Sequence, residues 1–308
     1  MTCDVSVIIL TFNEEKNISF AVESVRGWAK SVFVFDSFSV DKTVELAREL
    51  GCHVVQHQFE NYGSQRNAAL ALLPIETEWV FFLDADEWIT AALKQEIALR
   101  IAQHPRANGF FVKWRLIWMG KWIRRGYYPS WLVRLFRKDS ARCETRGVNE
   151  HLIVDGELGF LQGEFIHEDH NDLGRWIDKH NRYATREAEE LARGPSEGAI
   201  AASVFGTQAE RKRWIRERIW NRLPPIGRPF LYFGWRYFLR GGFLEGREAL
   251  AFHLMQGLWF PMLIDLKYLE MRRRGYAQGP ARSQGAHVAP RRRSDHEPPA
   301  LHVDDDGT

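Results

Sequence analysis

The N-terminal part of the chain alternates short apolar, β-branched runs with segments of helical periodicity, and this pattern constrains the fold more than any other feature. The predicted strands cover residues 5–10, 32–35, 54–55 and 79–83, and the helical patterns cover residues 14–28, 43–50 and 63–73. Strands that alternate with helices at this spacing predict a parallel sheet covered on both faces. In such sheets ligands bind at the carboxyl ends of the strands. The polar residues that follow each strand are therefore the candidates for a site.

Two carboxylates separated by one residue, Asp84-Ala85-Asp86, follow an apolar strand. Carboxylates together with diphosphate oxygens are suitable ligands for Mg²⁺ or Mn²⁺. Asp36 ends an earlier strand and is expected on the same edge, and Arg66 adds a cation suited to a diphosphate. Each residue alone has a structural alternative: an Asp-rich turn, a turn cap for Asp36, or a solvated helix face for Arg66. Their combination favours a site for a nucleotide diphosphate and a divalent metal.

Four ordered motifs of this sequence resemble glycosyltransferase family 2. They are Thr11-Phe-Asn13-Glu14, Val34-Phe-Asp36-Ser-x-Ser39-x-Asp41-x-Thr43, Gly63-x-x-Arg66-Asn67 and Phe82-Leu-Asp84-Ala85-Asp86-Glu87. Within the family, the chain is similar to the bacterial lipopolysaccharide-core β-glucosyltransferase-like and exopolysaccharide branch. The resemblance implies a GT-A fold and an inverting transfer from a UDP-sugar. The expected fold class is α/β, with a Rossmann-like nucleotide-binding sheet, a mixed acceptor half and a C-terminal helical, amphipathic extension.

The resemblance also implies which residues bind the nucleotide-sugar. These are Thr11, Asn13, Glu14, Asp36, Arg66, Asp84, Ala85 and Asp86. Glu14 is implied to lie near the ribose, and Asp36 to accept the uracil N–H. Asp84 is implied to hold the ribose side and Asp86 the metal ion, Mg²⁺ or Mn²⁺. The segment Thr11-Phe12-Asn13 departs from the many members that have a proline and a tyrosine here, so no stacking of the base is inferred.

An inverting transfer needs one carboxylate to take the proton of the acceptor hydroxyl, because the metal assists the departure of UDP. The candidate base is Glu150, which lies in a polar island of an apolar stretch, and similar family 2 enzymes place an Asp or Glu at the corresponding point. Asp169 and Glu168 are alternative bases. A turn salt bridge between Glu150 and Arg146 is the structural alternative.

Residues 109–195 change character, with short strands between glycine and tyrosine or proline turns, and they are expected to form the acceptor-binding half. Aromatic residues here could stack on sugar rings or belong to the core: Trp114, Trp118, Trp122, Tyr127, Tyr128 and Trp131. His167 or His170 could complete the metal shell, as a histidine does in some GT-A enzymes. A structural role is the alternative for both histidines.

Residues 196–275 combine basic and aromatic side chains. The basic residues are Arg211, Lys212, Arg213, Arg216, Arg218, Arg222, Arg228, Arg236 and Arg240. Such a segment suits either RNA or an anionic lipid surface. No RNA-binding motif accompanies it, so the expected partner is an anionic membrane surface and no nucleic acid, with ~1 kcal/mol from each basic side chain. Packing of the same helices on the catalytic domain is an alternative that could coexist with membrane contact.

The cysteines and the N-terminus indicate a cytoplasmic protein. Cys3, Cys52 and Cys143 have neither CxxC nor metal-ligand spacing, which is typical of reduced thiols. Met1–Asp4 lacks the basic region of a signal peptide, and we expect no segment with the ~18 uncharged apolar residues of a spanning helix. The expected location is the inner face of the cytoplasmic membrane, with peripheral attachment.

The sequence therefore predicts an inverting, metal-dependent transferase. The resemblance implies that it moves a glucose-like hexose from a UDP-sugar to a saccharide acceptor. This acceptor would be lipid-linked or belong to a lipopolysaccharide or exopolysaccharide. The predicted units are residues 1–108 (nucleotide-sugar half), 109–195 (acceptor half), 196–275 (membrane-associating extension) and 276–308 (disordered tail). One alternative is a nucleotidyltransferase, although residues 11–16 lack the Gly- and Lys-rich loop it would need. The other is a non-catalytic membrane-associated scaffold with a GT-A fold.

Overall fold

The computed structural model describes residues 2–144, 152–193, 210–211, 214–215 and 218–275. Residues Met1–Ala277 form one compact unit, to which all the described residues belong. The predicted boundaries at residues 108 and 195 stay predictions. The predicted tail, residues 276–308, lies outside the described residues, as does part of the predicted extension.

The described strands form one large sheet and one small one. They are β1 (Cys3–Thr11), β2 (Ala29–Asp36), β3 (His53–Gln56), β4 (Trp79–Asp84), β5 (Glu87–Ile89), β6 (Gly109–Trp118), β7 (Lys121–Trp122), β8 (Ser130–Arg137), β9 (Ala141–Cys143), β10 (Leu152–Val154) and β11 (Leu158–His167). In the described part of the chain the large sheet has the order β3-β2-β1-β4-β8-β6-β11-β5, with β7 paired to β6, and β9 pairs with β10 separately. Strands β1 to β4 are parallel, whereas β8 runs antiparallel to both of its neighbours.

Helices cover both faces of the parallel half. They are α1 (Ile18–Val25), α2 (Thr43–Glu49), α3 (Tyr62–Leu72), α4 (Ala91–Ala102) and, further along the chain, α5 (Leu173–Arg193). Alternate residues of β1 enter opposite layers: Val7 and Ile9 pack with α1 and α4, and Ile8 packs with α3. Burial on both faces explains why the strands are continuous apolar runs in the sequence. The predicted α/β fold with a helical C-terminal region is confirmed.

The C-terminal region is helical and packs on the catalytic domain. It contains α6 (Gly227–Gly234), which continues as a π-helical segment (Trp235–Leu239), then α7 (Gly246–Phe252), a second π-helical segment (His253–Trp259) and α8 (Phe260–Arg273). Lys267 on α8 donates to the Asn181 carbonyl on α5 over 3.1 Å. The turn after the first π-helical segment contacts the β7 hairpin, where the Lys121 ammonium donates to the Glu245 carbonyl.

Two of the basic residues expected to face a lipid surface are buried instead. Arg228 is fully enclosed and donates to both oxygens of Asp265, which is equally buried. Arg236 donates to the Gly126 carbonyl over 3.2 Å, and its guanidinium lies 4.7 Å from the ring centre of Tyr127. A buried charge is tolerated only when it is paired or hydrogen-bonded. Both arginines therefore join helices to one another and to the domain, and the expectation of lipid contact is wrong for them.

One described helix is long and apolar enough to cross a membrane, judged by length and composition alone. It runs continuously from Gly242 to Arg273, and most of its apolar window is not buried in the protein. We expected no such segment from the sequence, because polar residues such as His253 and Asp265 interrupt the apolar stretch. In the structure these two side chains point into the protein.

Candidate active site

The register of the sheet brings the polar residues at the strand ends together. Thr11, the last residue of β1, pairs with Asp36 at the end of β2. Asp84 ends β4, which lies on the other side of β1. His167, at the end of β11, pairs with Glu87 on β5. The structure therefore places the predicted strand-end residues along one edge of the sheet.

Asp36 is fully buried and holds the loop that follows β2. Its carboxylate accepts hydrogen bonds from the Thr11 hydroxyl (2.8 Å), the Ser39 backbone N–H (2.8 Å) and the Gln56 amide (3.0 Å). These donors belong to the protein itself, and the side chain lies beneath the cleft rather than in its wall. A uracil N–H would have to replace one of these donors, so the implied role of Asp36 in base recognition stays a prediction.

The loop after β1 is fixed in place by its neighbours. Asn13 has a φ of 55°, a left-handed conformation that asparagine tolerates better than most residues. Its N–H donates to the Ser39 hydroxyl over 2.7 Å, and its side-chain oxygen accepts the Val40 N–H over 2.8 Å. Its carbonyl accepts a hydrogen bond from Arg175 on α5. The loop thus forms a rigid wall of the cleft that contacts both the β2 edge and α5.

Glu14, the last residue of that motif, lies in a crowded acidic environment. Its N–H donates to the Thr43 hydroxyl over 2.7 Å, and its carboxylate accepts from the Asn17 amide over 2.7 Å. Burial raises the pKa of Glu14 to about 7; the ammonium of Lys179 opposes this rise and the negative charge of Asp86 adds to it. Glu14 therefore changes its charge near neutral pH. It is a titrating carboxyl group of the cleft in addition to the carboxylate that acts as the catalytic base.

Asp84 is held between two arginines. The Arg66 guanidinium lies 3.1 Å from one carboxylate oxygen, and that of Arg134 lies 2.8 Å from the other. Burial pushes the pKa of Asp84 upward, but Arg134 and Arg66 outweigh it and hold the pKa well below its ordinary value. Asp84 is thus an ionised carboxylate with fixed orientation. Each of its oxygens contacts a guanidinium group, so ligation of a metal ion by Asp84 would have to break an ion pair.

Arg134 on β8 was not predicted from the sequence, yet it organises this part of the site. It is buried, and besides Asp84 it contacts Glu87 at 2.6 Å. Burial raises the pKa of Glu87 well above its ordinary value, Arg134 opposes the rise, and the charges of Asp84 and Asp86 add to it. Glu87 in turn accepts the Asp84 backbone N–H over 2.9 Å. These contacts lock the turn that carries the two aspartates.

Asp86 faces His167 and Lys179. One carboxylate oxygen lies 3.5 Å from His167 Nδ1, and the other lies 3.2 Å from Lys179 Nζ. No group of three or more His, Cys, Asp or Glu side chains suited to a metal ion occurs among the described residues. Two protein ligands nevertheless fit a Mg²⁺ or Mn²⁺ ion that takes its remaining ligands from a diphosphate and water. The structure therefore brings the predicted pair Asp86 and His167 together.

Lys179 belongs to a basic row on α5 that the sequence analysis missed. Arg175, Lys179, Arg182 and Arg186 recur at helical spacing and all line the cleft. Burial lowers the pKa of Lys179, but Asp86, Tyr183 and other acidic neighbours outweigh it and hold the pKa well above its ordinary value. Their spacing of four, three and four residues is that of one helix face, so the row could have been found in the sequence. Its positive charges face the strand ends that carry Asp84 and Asp86.

The loop after β1, the pair Asp84 and Asp86 and the basic row on α5 line one open cleft of about 1750 Å³. This exceeds the ~300–1,000 Å³ of most ligand pockets, so it has room for a nucleotide-sugar and part of a second substrate. Of the predicted nucleotide-sugar residues, the cleft wall contains Thr11, Asn13, Glu14, Arg66, Asp84, Ala85 and Asp86. His167 lines it as well. The predicted set is therefore assembled around one space, with Asp36 just below its surface.

The predicted base, Glu150, lies outside the described residues, so its role stays a prediction. Its competitor Asp169 lines the cleft and accepts hydrogen bonds from the Asn17 amide (2.9 Å) and the Asn171 N–H (2.9 Å). Burial raises the pKa of Asp169, but Lys179 and the Asn17 hydrogen bond outweigh it and lower the pKa below its ordinary value. Asp169 is therefore ionised at neutral pH, which a base requires, although a lowered pKa weakens its affinity for a proton.

The two histidines considered as metal ligands have different surroundings. His167 contacts Asp86, whereas the His170 ring stacks on Phe20 with 4.2 Å between ring centres. The His170 N–H donates to the Asn17 side chain over 2.9 Å. The arrangement favours His167 for the metal and a structural role for His170.

The six candidate sugar-stacking aromatics divide into three groups. Trp131 lines the large cleft, whereas Trp114, Trp118 and Tyr127 line a smaller cavity next to it. Trp122 and Tyr128 line neither space; they contact each other, with 5.4 Å between ring centres. Only part of the aromatic set therefore faces a space that a sugar could enter.

Comparisons with known proteins identify the family of this chain. The family profile named Glycosyl transferase family 2 matches residues 6–150. An uncharacterized glycosyltransferase of Rickettsia bellii is 37% identical over 220 residues, which are 67% of this chain and 74% of the relative. The chain belongs to glycosyltransferase family 2. An uncharacterized glycosyltransferase of Rickettsia prowazekii is 26% identical over 276 residues, or 85% of this chain and 87% of the relative.

Solved structures similar to this family 2 chain include S. aureus TarS 1-349 in complex with UDP. That similarity has a TM-score of 0.41 at 17% sequence identity and covers 89% of this chain and 92% of the other. Glucosyl-3-phosphoglycerate synthase from Mycobacterium tuberculosis, in complex with Mn²⁺, UDP and glucosyl-3-phosphoglycerate, has a TM-score of 0.41 at 14% identity. It covers 65% of this chain and 83% of the other.

Family membership confirms that this protein is a glycosyltransferase, and it removes the support for a nucleotidyltransferase or a non-catalytic scaffold. The lipopolysaccharide-core and exopolysaccharide branch stays a prediction. The roles of individual residues likewise stay predictions, now with a geometry for those that are described.

Proposed function

We propose that this family 2 glycosyltransferase transfers a glucose-like hexose, with inversion, from a UDP-sugar to a saccharide acceptor that is lipid-linked or belongs to a lipopolysaccharide or exopolysaccharide. One observation carries the proposal. Asp84 is neutralised by Arg66 and Arg134, while Asp86 beside it faces His167 and Lys179 in the wall of the cleft. One aspartate is thereby fixed as part of the scaffold, and the other is available for ligand chemistry.

The charge distribution of the cleft suits a nucleoside diphosphate. The basic row on α5 faces the strand ends, and cationic side chains there attract and orient phosphate oxygens. The nucleoside would lie on the wall formed by residues 11–14. Ser39 and Arg175 hold this loop in place. Preorganised groups of this kind lose little entropy when a donor binds.

The leaving group of the transfer is a diphosphate, whose developing charge must be neutralised. Asp86 and His167 would hold the divalent ion that supplies this neutralisation when it is bound. Lys179 adds a second positive charge at the same place, because its ammonium lies 3.2 Å from Asp86. The acceptor proton goes to a carboxylate, which is Glu150 in this proposal and Asp169 in its alternative.

The test is the release of UDP from a panel of UDP-hexoses by the full-length enzyme with Mn²⁺ or Mg²⁺. We expect one donor to be turned over and Arg66→Ala to weaken its binding. Arg100→Ala, on the far end of α4 and outside both cavities, is the matched control and should behave like the native enzyme. If UDP neither binds nor is released from any donor, the proposed donor class is wrong.

We also propose peripheral attachment to the inner face of the cytoplasmic membrane, supported by an exposed apolar face. Leu231, Trp235, Phe238 and Leu239 recur at helical spacing on α6 and its π-helical continuation, and Leu239 is 80% exposed. Exposed Arg240 follows them. An apolar face next to basic side chains suits insertion into an anionic leaflet better than contact with water.

Sedimentation with vesicles containing anionic lipid tests this attachment. We expect the double substitution Leu231→Ser and Leu239→Ser to reduce binding strongly. Leu99→Ser is the matched control, because Leu99 is 66% exposed on α4 and belongs to a different surface. Unchanged sedimentation of the double variant contradicts the proposal.

A further inference from the structure

A second cavity of about 230 Å³ adjoins the main cleft. It lies between the end of β6, the first turns of α5 and the C-terminal helices. Residues at the junction line both spaces, among them His167, Asp169 and His180. The cavity is therefore connected to the place where Asp86 and the proposed donor site lie.

Aromatic side chains form the walls of this cavity. Trp118 lies edge-on to Trp176, with 5.2 Å between ring centres, and at 5.6 Å from Phe252. Trp114 lies edge-on to Tyr127 at 5.2 Å. Rings held in edge-on contact have fixed orientations, so they offer a preformed apolar surface rather than a collapsible one.

Polar groups complete the lining, which distinguishes it from a gap in an apolar core. Asp169, Asn171, His180 and Gln256 line the cavity beside the rings. Burial lowers the pKa of His180 to about 4, so this imidazole is neutral at physiological pH, and Gln256 hydrogen-bonds to it. Carboxylate, amide and imidazole groups of this kind can hydrogen-bond to the hydroxyl groups of a ligand.

We infer that this cavity binds one sugar ring of the acceptor, with Trp118 and Trp176 on its apolar side and Asp169 at the opening toward the donor. The inference rests on the proposed glycosyl transfer and adds the acceptor site to it. A pyranose has faces made of C–H groups and a rim of hydroxyls, which matches apolar walls with a few polar groups. Its reacting hydroxyl would point through the junction into the main cleft.

The C-terminal region has a second role on this basis, because it supplies part of the acceptor site. Phe252 on α7 and Gln256 in the following π-helical segment line the cavity. The catalytic domain contributes Trp118 and Trp176 from the opposite side. Displacement of these helices would open the acceptor site while leaving the donor loop and the strand ends intact.

Saturation-transfer NMR on the full-length protein with UDP tests the inference. The probes are methyl glycosides of glucose, galactose, mannose and N-acetylglucosamine. We expect saturable binding of at least one glycoside, and a loss of affinity of about tenfold or more in Trp118→Leu and in Gln256→Leu. Trp122→Leu is the matched control, because Trp122 lies on the same hairpin and lines neither cavity.

The outcomes separate this inference from the proposed function. Loss of glycoside binding in Trp118→Leu and Gln256→Leu, with UDP affinity unchanged, supports the acceptor site. Native glycoside affinity in both variants, or no glycoside binding by the native protein, overturns it. UDP binding is measured in the same samples, so its absence refutes the donor proposal independently of the result with glycosides.

Discussion

Replacement of Arg134 by methionine tests the physical basis of the site most directly. Arg134 is 7% exposed and contacts Asp84 at 2.8 Å and Glu87 at 2.6 Å, and Glu87 is 3% exposed. Methionine keeps much of the side-chain volume and removes the charge. The variant therefore leaves two acidic side chains close together without their shared counter-charge.

The expected loss in free energy of unfolding depends on which charged partners remain around Asp84 and Glu87. Removing one member of a buried ion pair costs about 3–5 kcal/mol, because the other charge stays buried and unpaired. Asp84 keeps Arg66 and is 34% exposed, so solvent and Arg66 compensate part of its charge. We expect a loss near the lower end of that range, about 3 kcal/mol at pH 7. Binding of UDP should weaken as well, because the turn that carries Asp86 loses its support.

The effect should depend on pH with a definite sign. The pKa of Asp84 is lowered in the native protein, so the stabilisation that Asp84 gains is present above about pH 4 and is lost as the pH falls through its folded-state pKa. Arg134→Met keeps only the part of this stabilisation that Arg66 supplies. The difference in free energy of unfolding between the two proteins should therefore shrink below about pH 4.

Urea unfolding followed by circular dichroism at several pH values measures both quantities. Arg134→Lys keeps the charge and should cost less, whereas Arg115→Met breaks the more exposed pair with Glu164 and should cost about 1 kcal/mol or less. A loss below about 1 kcal/mol for Arg134→Met, equal at pH 3 and pH 7, would refute the reasoning.

Three further predictions concern acidic residues. Asp86→Asn should abolish transfer and weaken Mn²⁺ binding, and it should also lower the melting temperature, because Lys179 loses a counter-charge; full activity in EDTA would contradict a metal role. Glu150→Gln should lower the rate by ~10²–10⁴ without loss of UDP affinity, and a near-native rate together with an inactive Asp169→Asn would assign the base to Asp169. The raised pKa of Glu14 means that its contribution to stability is present below pH 4.5 and is lost as the pH rises toward 7. Glu14→Gln should remove this pH dependence, by at most about 3 kcal/mol, and an unchanged profile in urea unfolding would show that Glu14 is not the group involved.

The donor side of the site was predictable because its residues are tied to local pattern. Thr11, Asp36 and Asp84 each end an apolar run, and such runs become neighbouring parallel strands when both faces of a sheet are buried. For Asp36, the sequence predicted only the position at the end of a strand. The hydrogen bonds that its carboxylate accepts from Thr11, Ser39 and Gln56 depend on how the loops fold back.

The cations of the site could not be assigned in this way. Arg134 lies 50 residues from Asp84, on a strand that enters the sheet antiparallel, and Lys179 lies 93 residues from Asp86 on a later helix. The periodicity of α5 marks its basic row, but periodicity alone does not show which face of a helix meets which edge of a sheet. Arg228 and Arg236 show the opposite error. The basic, aromatic composition of their segment predicted contact with lipid, whereas in the structure both side chains are buried and hydrogen-bonded within the protein.

The sequence by itself determined the parallel sheet, the strand-end aspartates and the family, because these depend on the alternation of apolar residues and on short motifs read within a few residues. Tertiary structure decided how the charges are compensated: two arginines for Asp84, and His167 and Lys179 for Asp86. It also decided that the C-terminal helices line the cavity next to the cleft. The physical reason is that charge interactions act between side chains brought close in space, and packing of distant segments sets which side chains those are.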